Sequence, residues 1–289
     1  PDADRLGIGC YHDGEFVLFN GNQTATVMVD YICSQLAKQN RLPKDGWVFS
    51  TNVSSDLPLK IAQSYGLQTF VTLTGFKFIG EQAKNIEGTG TYVFGYEESY
   101  GCLIKDFVRD KDAIQAILMI CEIEAWCEAN GMDLIDYLDS IYHREGYFYE
   151  SQENVYHKGL EGKAKIARIM ETFRSGEINL DFGEIIKKED NLLKIAYTYE
   201  ENKVLTSTID LPESNVLKYF INEILLIKGT FDQFVANNFI GISKLITIAA
   251  GVSHAYNCDS PDSELKYWSS LIPLSLPPIF SVPLRYANI

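Results

Sequence analysis

Basic residues are scarce in this sequence of 289 residues. It contains 25 lysines and arginines against 39 aspartates and glutamates, which gives a formal net charge of -14. A chain this acidic lacks the electrostatic attraction on which general binding to nucleic acid or to anionic membranes depends. Any phosphate group that it binds must therefore be held by a local cluster of cations and backbone amides, against the field of the whole molecule.

Cysteine motifs and long apolar runs are also missing. The 6 cysteines form no C-x-x-C pair and no spacing typical of zinc ligands. Cys33, Cys121 and Cys127 lie in apolar helical patterns, where a free thiol behaves as a small hydrophobic group, so we expect a reducing, cytoplasmic compartment. The apolar stretch that begins at Phe239 is interrupted by Lys244 and is too short to span a bilayer. Because the chain begins with Pro1 and not with Met, we expect it to begin inside a longer protein.

The composition that remains is that of a globular chain. Hydrophobic residues make up 46% of the sequence and charged residues 22%, which is typical of proteins with packed cores. The length allows about two domains. Helix and strand patterns alternate, with a helix over 20–38, a strand over 47–51, a helix over 57–65 and a strand over 69–73. This alternation predicts an α/β fold with a mixed, largely parallel sheet layered with helices, in which ligands bind beyond the carboxyl ends of the strands.

One loop carries an unusual group of polar side chains. The sequence Gly-Tyr-Glu-Glu-Ser-Tyr-Gly at 95–101 follows an apolar run that ends at Phe94. Such a run predicts a buried strand that leads into a loop. The carboxylates of Glu97 and Glu98 can accept hydrogen bonds from sugar hydroxyls, and Ser99 can both donate and accept. From this stretch alone, a solvated turn beside a helix cap explains the residues equally well.

The first residues of the chain form a second polar stretch, Pro-Asp-Ala-Asp-Arg. In an extended loop, the carboxylates of Asp2 and Asp4 could converge on one hard cation such as Mg²⁺. A pair of aspartates separated by one residue is more often a solvated turn. Arg5 follows directly, and the apolar runs after it, joined by Asp13-Gly14, predict a β-hairpin.

Two further stretches lie at the ends of predicted elements. Thr-Gly-Phe-Lys at 74–77 follows the strand over 69–73, and Val-Arg-Asp-Lys-Asp at 108–112 precedes a helical pattern. Cations and free amides at a helix N-terminus can form an anion site. By themselves, however, Lys77 is more typical of a surface lysine, and Arg109 and Lys111 are equally typical of an exposed charge run.

The helical pattern extends from Asp112 to Asn130. Its apolar positions, which include Ile114 and Ile117, predict a largely buried helix.

In this order and spacing, the four stretches resemble the α-D-phosphohexomutase family of phosphoglucomutases and phosphomannomutases. The resemblance extends from Pro1 to about Phe220. It implies an intramolecular transfer of a phosphoryl group between the 1- and 6-positions of a hexose phosphate, by way of a phosphoserine. The sequence contains neither that serine loop nor a recognisable distal phosphate loop. The resemblance therefore implies a phosphohexomutase fragment that is inactive alone, with a non-catalytic sugar-phosphate-binding paralogue or a truncated product as the alternative.

The resemblance also implies a role for individual residues. Magnesium would be bound by Asp2 and Asp4, although the first of the family's three aspartates would precede Pro1. Catalytic roles fall to Arg5 and Lys111. Substrate-binding roles fall to Thr74, Gly75, Lys77, Glu97, Glu98, Ser99 and Arg109. The expected ligands are glucose 1-phosphate and glucose 6-phosphate or their mannose analogues; we favour glucose, because the stretch 95–101 is most similar to the phosphoglucomutase branch.

A division into domains follows from the same resemblance. Residues 1–14 would end a second domain and carry the metal loop, 15–149 would form the α/β sugar-binding domain of the domain 3 type, and 150–222 would form a smaller, incomplete α+β domain. The tail over 223–289 is unassigned. Ser253-His254 in this tail is similar to the family's Ser-His-Asn-Pro loop, but the spacing is wrong and the proline is missing, so we do not expect the phosphoserine there.

Overall fold

The structure is a computed structural model that describes residues 3–146, 148, 157, 159–175, 184–201, 203–222 and 243–249. Asp2, Ser253 and most of the 223–289 tail lie outside the described residues. The chain divides into two compact units, the first running through Phe148 and the second beginning at Tyr149. Among the helices of the described part, none combines the length and the apolar character that crossing a bilayer requires.

The first unit begins with the predicted hairpin. Strand β1 (Gly9–His12) pairs antiparallel with β2 (Glu15–Leu18). Asp13 and Gly14 have φ angles of 48° and 90°. This left-handed backbone is the one that an Asp-Gly hairpin turn requires, and the prediction is confirmed.

A four-stranded sheet forms the centre of the first unit. Its strands are β3 (Gly46–Thr51), β4 (Gln68–Thr72), β5 (Thr91–Glu97) and β6 (Gly101–Leu103), in the order β4-β3-β5-β6. β3 is parallel to both β4 and β5, whereas β6 is antiparallel to β5. The predicted mixed, largely parallel sheet is confirmed. Because β3, β4 and β5 run in the same direction, their carboxyl ends lie at one edge of the sheet, as expected for the loops after β4 and β5.

Five helices accompany this sheet: α1 (Gly21–Lys38), α2 (Leu57–Ser64), α3 (Phe76–Asn85), α4 (Ala113–Ala129) and α5 (Leu134–Glu145). α1 begins where the sequence predicts, because Asn20 and Gln23 form a capping box in which each side chain accepts from the other residue's backbone N–H, at 2.8 and 3.0 Å. α3 is a helix that the sequence reading missed. It begins directly after Gly75, so Phe76 and Lys77 form its first turn.

The sheet has an apolar core on each face. Val48 belongs to the larger core, with α1 and α2, whereas its neighbour Phe49 belongs to a smaller core with Phe76 and Ile79 of α3. Adjacent residues of a strand point to opposite faces. The sheet is therefore covered on both sides, which explains the continuous apolar character of its strands.

The prediction that α4 is largely buried is wrong for one face. Ile114 and Leu118 are 60% and 68% exposed, and Ile117 is also exposed. Ala116, Ile120, Ile123 and Cys127, on the other side, are buried. α4 carries apolar residues on all of its sides, but only one side packs on the core. The spacing of the apolar residues therefore could not identify the exposed side.

In its described residues, the second unit combines one helix with an antiparallel sheet. The helix is α6 (Gly159–Ser175), and the strands are β7 (Glu184–Asp190), β8 (Ile195–Glu200), β9 (Lys203–Thr208), β10 (Val216–Asn222) and β11 (Ser243–Ala249), in the order β11-β10-β7-β8-β9. Arg174 of α6 binds the fully buried Asp190 through Nε and Oδ2 at 2.9 Å, which anchors the helix to the sheet. β11 adds an edge strand from the tail that the sequence left unassigned.

An ion pair between the hairpin and α5 generates a prediction about pH. His12 Nδ1 lies 2.7 Å from Asp133 Oδ2. The hydrogen bond with Asp133 raises the pKa of His12 above its ordinary 6.5. Although burial opposes it, bonds from the Asp136 backbone and from His12 lower the pKa of Asp133 below 3.8. The pair therefore stabilises the fold fully between pH 3.8 and 6.5, and it loses strength as the pH rises through the raised pKa of His12.

We expect His12→Gln to lower the free energy of unfolding by about 0.5–1.5 kcal/mol at pH 5, and by less at pH 8.5. Urea denaturation followed by circular dichroism at both values measures this difference. His143→Gln replaces an exposed histidine of α5 and serves as the control. A loss from His12→Gln that is equal at the two pH values would contradict the prediction.

Candidate functional site

Glu97 ends β5 at the carboxyl edge of the sheet. Its side chain is buried, with only 3% of the residue exposed, and it faces Gly101 across the turn between β5 and β6. Burial raises the pKa of the Glu97 carboxyl, and the charge of Glu98 adds to this effect. Lys111 is the main opposing influence. Ser99 donates a hydrogen bond to the Glu97 carboxylate and so also favours the charged form.

Lys111 supplies the counter-charge at this edge. Its side chain is only 9% exposed, and Nζ lies 2.9 Å from Asp110 Oδ1, 3.1 Å from Asp4 Oδ2 and 4.0 Å from Glu97 Oε1. Burial disfavours the ammonium, but the hydrogen bonds to Asp110 and Asp4 outweigh it and raise the pKa of Lys111. Lys111 is therefore a largely shielded cation among three carboxylates.

The N-terminal stretch reaches this cluster as an added strand segment. Arg5 forms an antiparallel bridge with Gly101, and Leu6 N donates to Tyr100 O at 3.3 Å. Ala3 O accepts from the backbone N–H of Ala113, at the start of α4, at 3.1 Å. These bonds hold Asp4 beside Lys111. They also bring the Arg5 guanidinium to 4.0 Å from Glu97 Oε1.

Gly101 is a glycine for a steric reason. A Cβ atom at this position would lie 2.1 Å from Lys111 Cδ and 2.8 Å from Glu97 Oε1. The aliphatic part of the Lys111 side chain packs against Gly101, and its ammonium group lies beside the carboxylates. The absence of a side chain at 101 is therefore a condition for the contact between Lys111 and Glu97.

The stretch Thr-Gly-Phe-Lys at 74–77 contacts the cluster through Phe76. Its ring is buried, and Lys111 Nζ lies 5.5 Å from the ring centroid, a distance at which a cation and an aromatic face attract each other. Thr74 and Lys77 are exposed, and Lys77 Nζ lies over the ring of Phe78 at 4.8 Å. Within the described ranges, no hydrogen bond or ion pair joins Lys77 to Lys111 or Glu97. Gly75, with a φ of 116°, provides the turn into α3.

Glu98 differs from its neighbour, because protein hydroxyls already bind its carboxylate. Glu98 Oε2 accepts from Ser54 Oγ at 2.9 Å and from Thr51 Oγ1 at 3.2 Å. The backbone N–H of Glu98 donates to Ser54 Oγ at 3.0 Å. The first residue of α1 packs against the same turn, since a Cβ on Gly21 would lie 2.1 Å from Glu98 O.

Sequence reasoning missed these supports of the turn. Two of these supports, Thr51 and Ser54, belong to the run Ser-Thr-Asn-Val-Ser-Ser at 50–55. This polar run at the end of β3, at the same sheet edge, is the signal that could have identified them.

Arg109 lies at the surface beside the cluster. Its guanidinium binds the carboxylate of Glu87 and donates to Asp106 O at 2.6 Å. The side chain is 40% exposed. Arg109 lines an open cavity of about 460 Å³ together with Ala3, Val108, Asp110, Lys111, Asp112 and Ile114. Its predicted contact with substrate stays a prediction.

Two groups of side chains offer ligands of the kind that metals bind. Asp4 contributes a partly exposed carboxylate beside Lys111, and such a hard oxygen donor fits Mg²⁺; Asp2 lies outside the described residues. The other group is His12, Asp133 and Asp136. There Asp133 caps α5, Asp136 Oδ2 accepts from Asp133 N at 3.0 Å, and His12 pairs with Asp133. Helix capping accounts for the second group without a metal.

A mixed, largely parallel sheet with helices on both faces and charged side chains at its carboxyl edge forms an α/β/α domain. Residues 20–144 match the family described as phosphoglucomutase/phosphomannomutase, alpha/beta/alpha domain III. Over this domain, the chain is similar to a fragment of the phosphoglucomutase/phosphomannomutase family.

Known proteins that are similar to the chain carry the same family name. A phosphoglucomutase of Staphylococcus aureus (strain bovine RF122 / ET3-1) is 35% identical over 225 residues, covering 77% of this chain and 40% of that protein. A phosphoglucomutase of Staphylococcus epidermidis (strain ATCC 12228 / FDA PCI 1200) is 35% identical over 226 residues, with the same coverage of 77% and 40%. The crystal structure of the Paramecium phosphoglucomutase pp63/parafusin in its open form is 20% identical, covers 80% of this chain and 37% of that chain, and has a TM-score of 0.46. The chain thus spans about 40% of the length of the curated relatives.

The steric role of Gly101 can be tested without a ligand. We expect Gly101→Ala to lower the free energy of unfolding by about 1–3 kcal/mol, because the added methyl group displaces Lys111 from its carboxylates. Gly7→Ala is the matched control, since a Cβ at Gly7 meets nothing within 4 Å, and it should change stability by less than about 1 kcal/mol. Urea denaturation of the three proteins makes the comparison. Equal effects of the two substitutions would show that Lys111 does not depend on Gly101.

Proposed function

We propose that this chain carries the metal loop and the sugar-binding domain of a phosphohexomutase, whose whole molecule moves a phosphoryl group between the 1- and 6-positions of a hexose phosphate. The observation that carries the proposal is the position of Lys111. Its ammonium lies within 4.0 Å of Asp4 and Glu97, which come from two other motif stretches. Residues that are far apart in sequence thus form one cluster at the edge where ligands of parallel sheets bind.

The sugar ring is bound at the end of β5. Glu97 presents a carboxylate that accepts hydrogen bonds from ring hydroxyls, and Ser99 lies beside it. Glu98 has its carboxylate engaged by Thr51 and Ser54, so in this proposal it orients the turn. Thr74, Gly75 and Lys77 follow β4, which is separated from β5 by β3, and approach from the same edge of the sheet.

The charges of the cluster indicate how a phosphate is bound. Asp4, Asp110 and Glu97 carry three formal negative charges, whereas Lys111 and Arg5 carry two positive charges. The cluster alone is therefore slightly negative and would repel a phosphate dianion. Mg²⁺ held by Asp4 together with Asp2 would reverse this sign and offset the charge of the transferring phosphoryl group. Lys111 and Arg5 then orient phosphate oxygens beside it.

The substrate that we propose is glucose 1-phosphate or glucose 6-phosphate, in preference to the mannose analogues. The similar proteins that carry the name phosphoglucomutase support this choice. We also place the protein in the cytoplasm. All 5 cysteines of the described residues are unpaired, which suits a reducing compartment. Cys33 and Cys127 are buried as expected, whereas Cys121 is exposed, so the expectation is wrong for that residue.

Binding by the 289-residue chain tests the sugar site. We expect Glu97→Gln to lower its affinity for glucose 6-phosphate by about tenfold or more, because a hydrogen bond to a charged acceptor contributes about 1.5–3 kcal/mol. A ligand-observed NMR titration in the presence of Mg²⁺ measures the affinity. Glu128→Gln, an exposed position at the end of α4, is the control. Equal affinities of the two variants would show that Glu97 does not contribute to binding of the sugar phosphate.

Turnover tests the metal loop. In a full-length phosphohexomutase that contains this chain, Asp4→Asn should reduce turnover by about 100-fold or more, with an unchanged melting temperature. Asp13→Asn, whose side chain is 93% exposed, should leave turnover unchanged. Undiminished turnover in Asp4→Asn would count against the assignment.

The chain alone should bind the sugar phosphate without converting it, because the sequence holds no recognisable phosphoserine loop. A coupled assay with glucose 1-phosphate, the bisphosphate activator and Mg²⁺ measures glucose 6-phosphate formation. Turnover that Glu97→Ala abolishes would contradict this expectation.

A further inference from the structure

Asn52 carries a buried amide that is only half satisfied. It is the first residue after β3, at the carboxyl edge of the sheet, and is 2% exposed. Its Nδ2 is buried and has no hydrogen-bond partner among the residues that the structure describes. A buried amide group that lacks an acceptor is costly, and native proteins rarely retain one without a functional or structural reason.

The other atom of this amide contacts a residue of the proposed site. Asn52 Oδ1 accepts a hydrogen bond from Thr74 Oγ1 at 3.3 Å. Thr74 is exposed and lies directly before Gly75, in a stretch with a predicted role in substrate binding. A threonine hydroxyl has one proton and two lone pairs. Because the proton is given to Asn52, Thr74 presents lone pairs to a ligand and acts as an acceptor.

The surroundings of Asn52 are fixed by other bonds. Its backbone N–H donates to Thr72 O at 2.8 Å. Thr51 and Ser54, on either side of it in sequence, both bind Glu98. The main chain therefore cannot shift to satisfy Nδ2, whereas the amide plane itself can rotate.

Rotation of the amide plane by a half turn would reverse the polarity of Thr74. Nδ2 would then donate to Thr74 Oγ1, and the hydroxyl proton of Thr74 would be available to the ligand. In either orientation one end of the amide bonds to Thr74 and the other end has no described partner. Among the residues that the structure describes, no second hydrogen bond locks the amide in one orientation.

We propose that Asn52 is a positioning residue that allows Thr74 to act as acceptor or as donor toward the hexose phosphate. This inference rests on the proposed function. A phosphohexomutase must bind its ring in two orientations, which bring different oxygen atoms of the ligand to the same protein group. The Thr74 hydroxyl can accept from the ligand or donate to it, depending on which end of the Asn52 amide faces it. Thr74 can therefore bond to the ligand in both orientations without movement of the backbone.

The experiment compares affinities of the 289-residue chain for two probes, glucose 1-phosphate and glucose 6-phosphate, by NMR titration with Mg²⁺. The ionised carboxylate of Asn52→Asp offers only acceptor atoms, so the Thr74 hydroxyl must donate to it. Toward the ligand, Thr74 can then act only as an acceptor. We expect the ratio of the two dissociation constants to change by about fivefold or more. Asn52→Leu, of similar size and without polar atoms, should weaken both probes without that change in ratio.

A double substitution separates an effect through Thr74 from a structural one. If Asn52 acts through Thr74, adding Asn52→Asp to Thr74→Val should leave the ratio of the Thr74→Val variant unchanged. A further change of about threefold or more would overturn the proposal. An unchanged ratio in Asn52→Asp alone would also overturn it.

Two further results keep the outcome clear. Loss of binding in Glu97→Gln, together with an unaltered ratio in the Asn52 variants, would leave the proposed function standing and reject this inference alone. Failure of the unmodified chain to bind either probe would reject both. If Asn52→Asp does not fold, the side-chain amide signals of Asn52 in the unmodified chain decide: they should shift differently with the two probes, and equal shifts would overturn the proposal.

Discussion

The ammonium group of Lys111 sets the central constraint on the first unit. A largely buried cation is unfavourable unless carboxylates surround it. Three carboxylates do so, and each comes from a different place: Asp110 from the residue before it, Glu97 from the end of β5 and Asp4 from the N-terminal stretch. The cation therefore joins the beginning of the chain, the central sheet and the start of α4. Removing any of these elements leaves charge unpaired in a shielded place.

This arrangement depends on close backbone approaches. Lys111 reaches Glu97 only because Gly101 has no side chain, and the turn after β5 packs against α1 only because Gly21 has none. The backbone bridge from Arg5 to Gly101 then aligns the first stretch with the same hairpin. Together these contacts fix the end of β5 from several directions. In the proposed function, the carboxylate that accepts hydrogen bonds from the ligand is thus placed by rigid elements, which lowers the entropic cost of binding.

Much of this fold follows from local sequence. The capping box at Asn20, the Asp-Gly turn and the apolar strands were predictable because they depend on neighbouring residues. The order of the motif stretches indicated that they belong to one site. Local sequence could not show that α3 begins at Phe76, because the apolar residues after Gly75 are compatible with a loop or a helix. It also could not show which face of α4 is covered, since this depends on elements elsewhere in the chain.

The different contacts of Glu97 and Glu98 could not be predicted from the sequence either. Glu97 and Glu98 are identical side chains in adjacent positions, but Glu97 ends β5 and Glu98 begins the turn that follows it. One meets Lys111 and Arg5, and the other meets Thr51 and Ser54. The same motif letters therefore describe a candidate ligand contact and its support. Only their contacts with distant parts of the chain distinguish them.

These contacts separate a rigid part of the site from an adjustable one. Glu97 is held by charge and by the sheet, so in the proposed function it presents the same acceptor to every ligand. Thr74 is held by a single hydrogen bond to an amide whose two ends differ in polarity. In the proposed function, a ring that binds in two orientations needs a fixed reference, which preserves the position of the reacting phosphate, and an adaptable contact, which tolerates the exchange of its substituents. The proposal assigns the first to the end of β5 and the second to the loop after β4, at the same edge of the sheet.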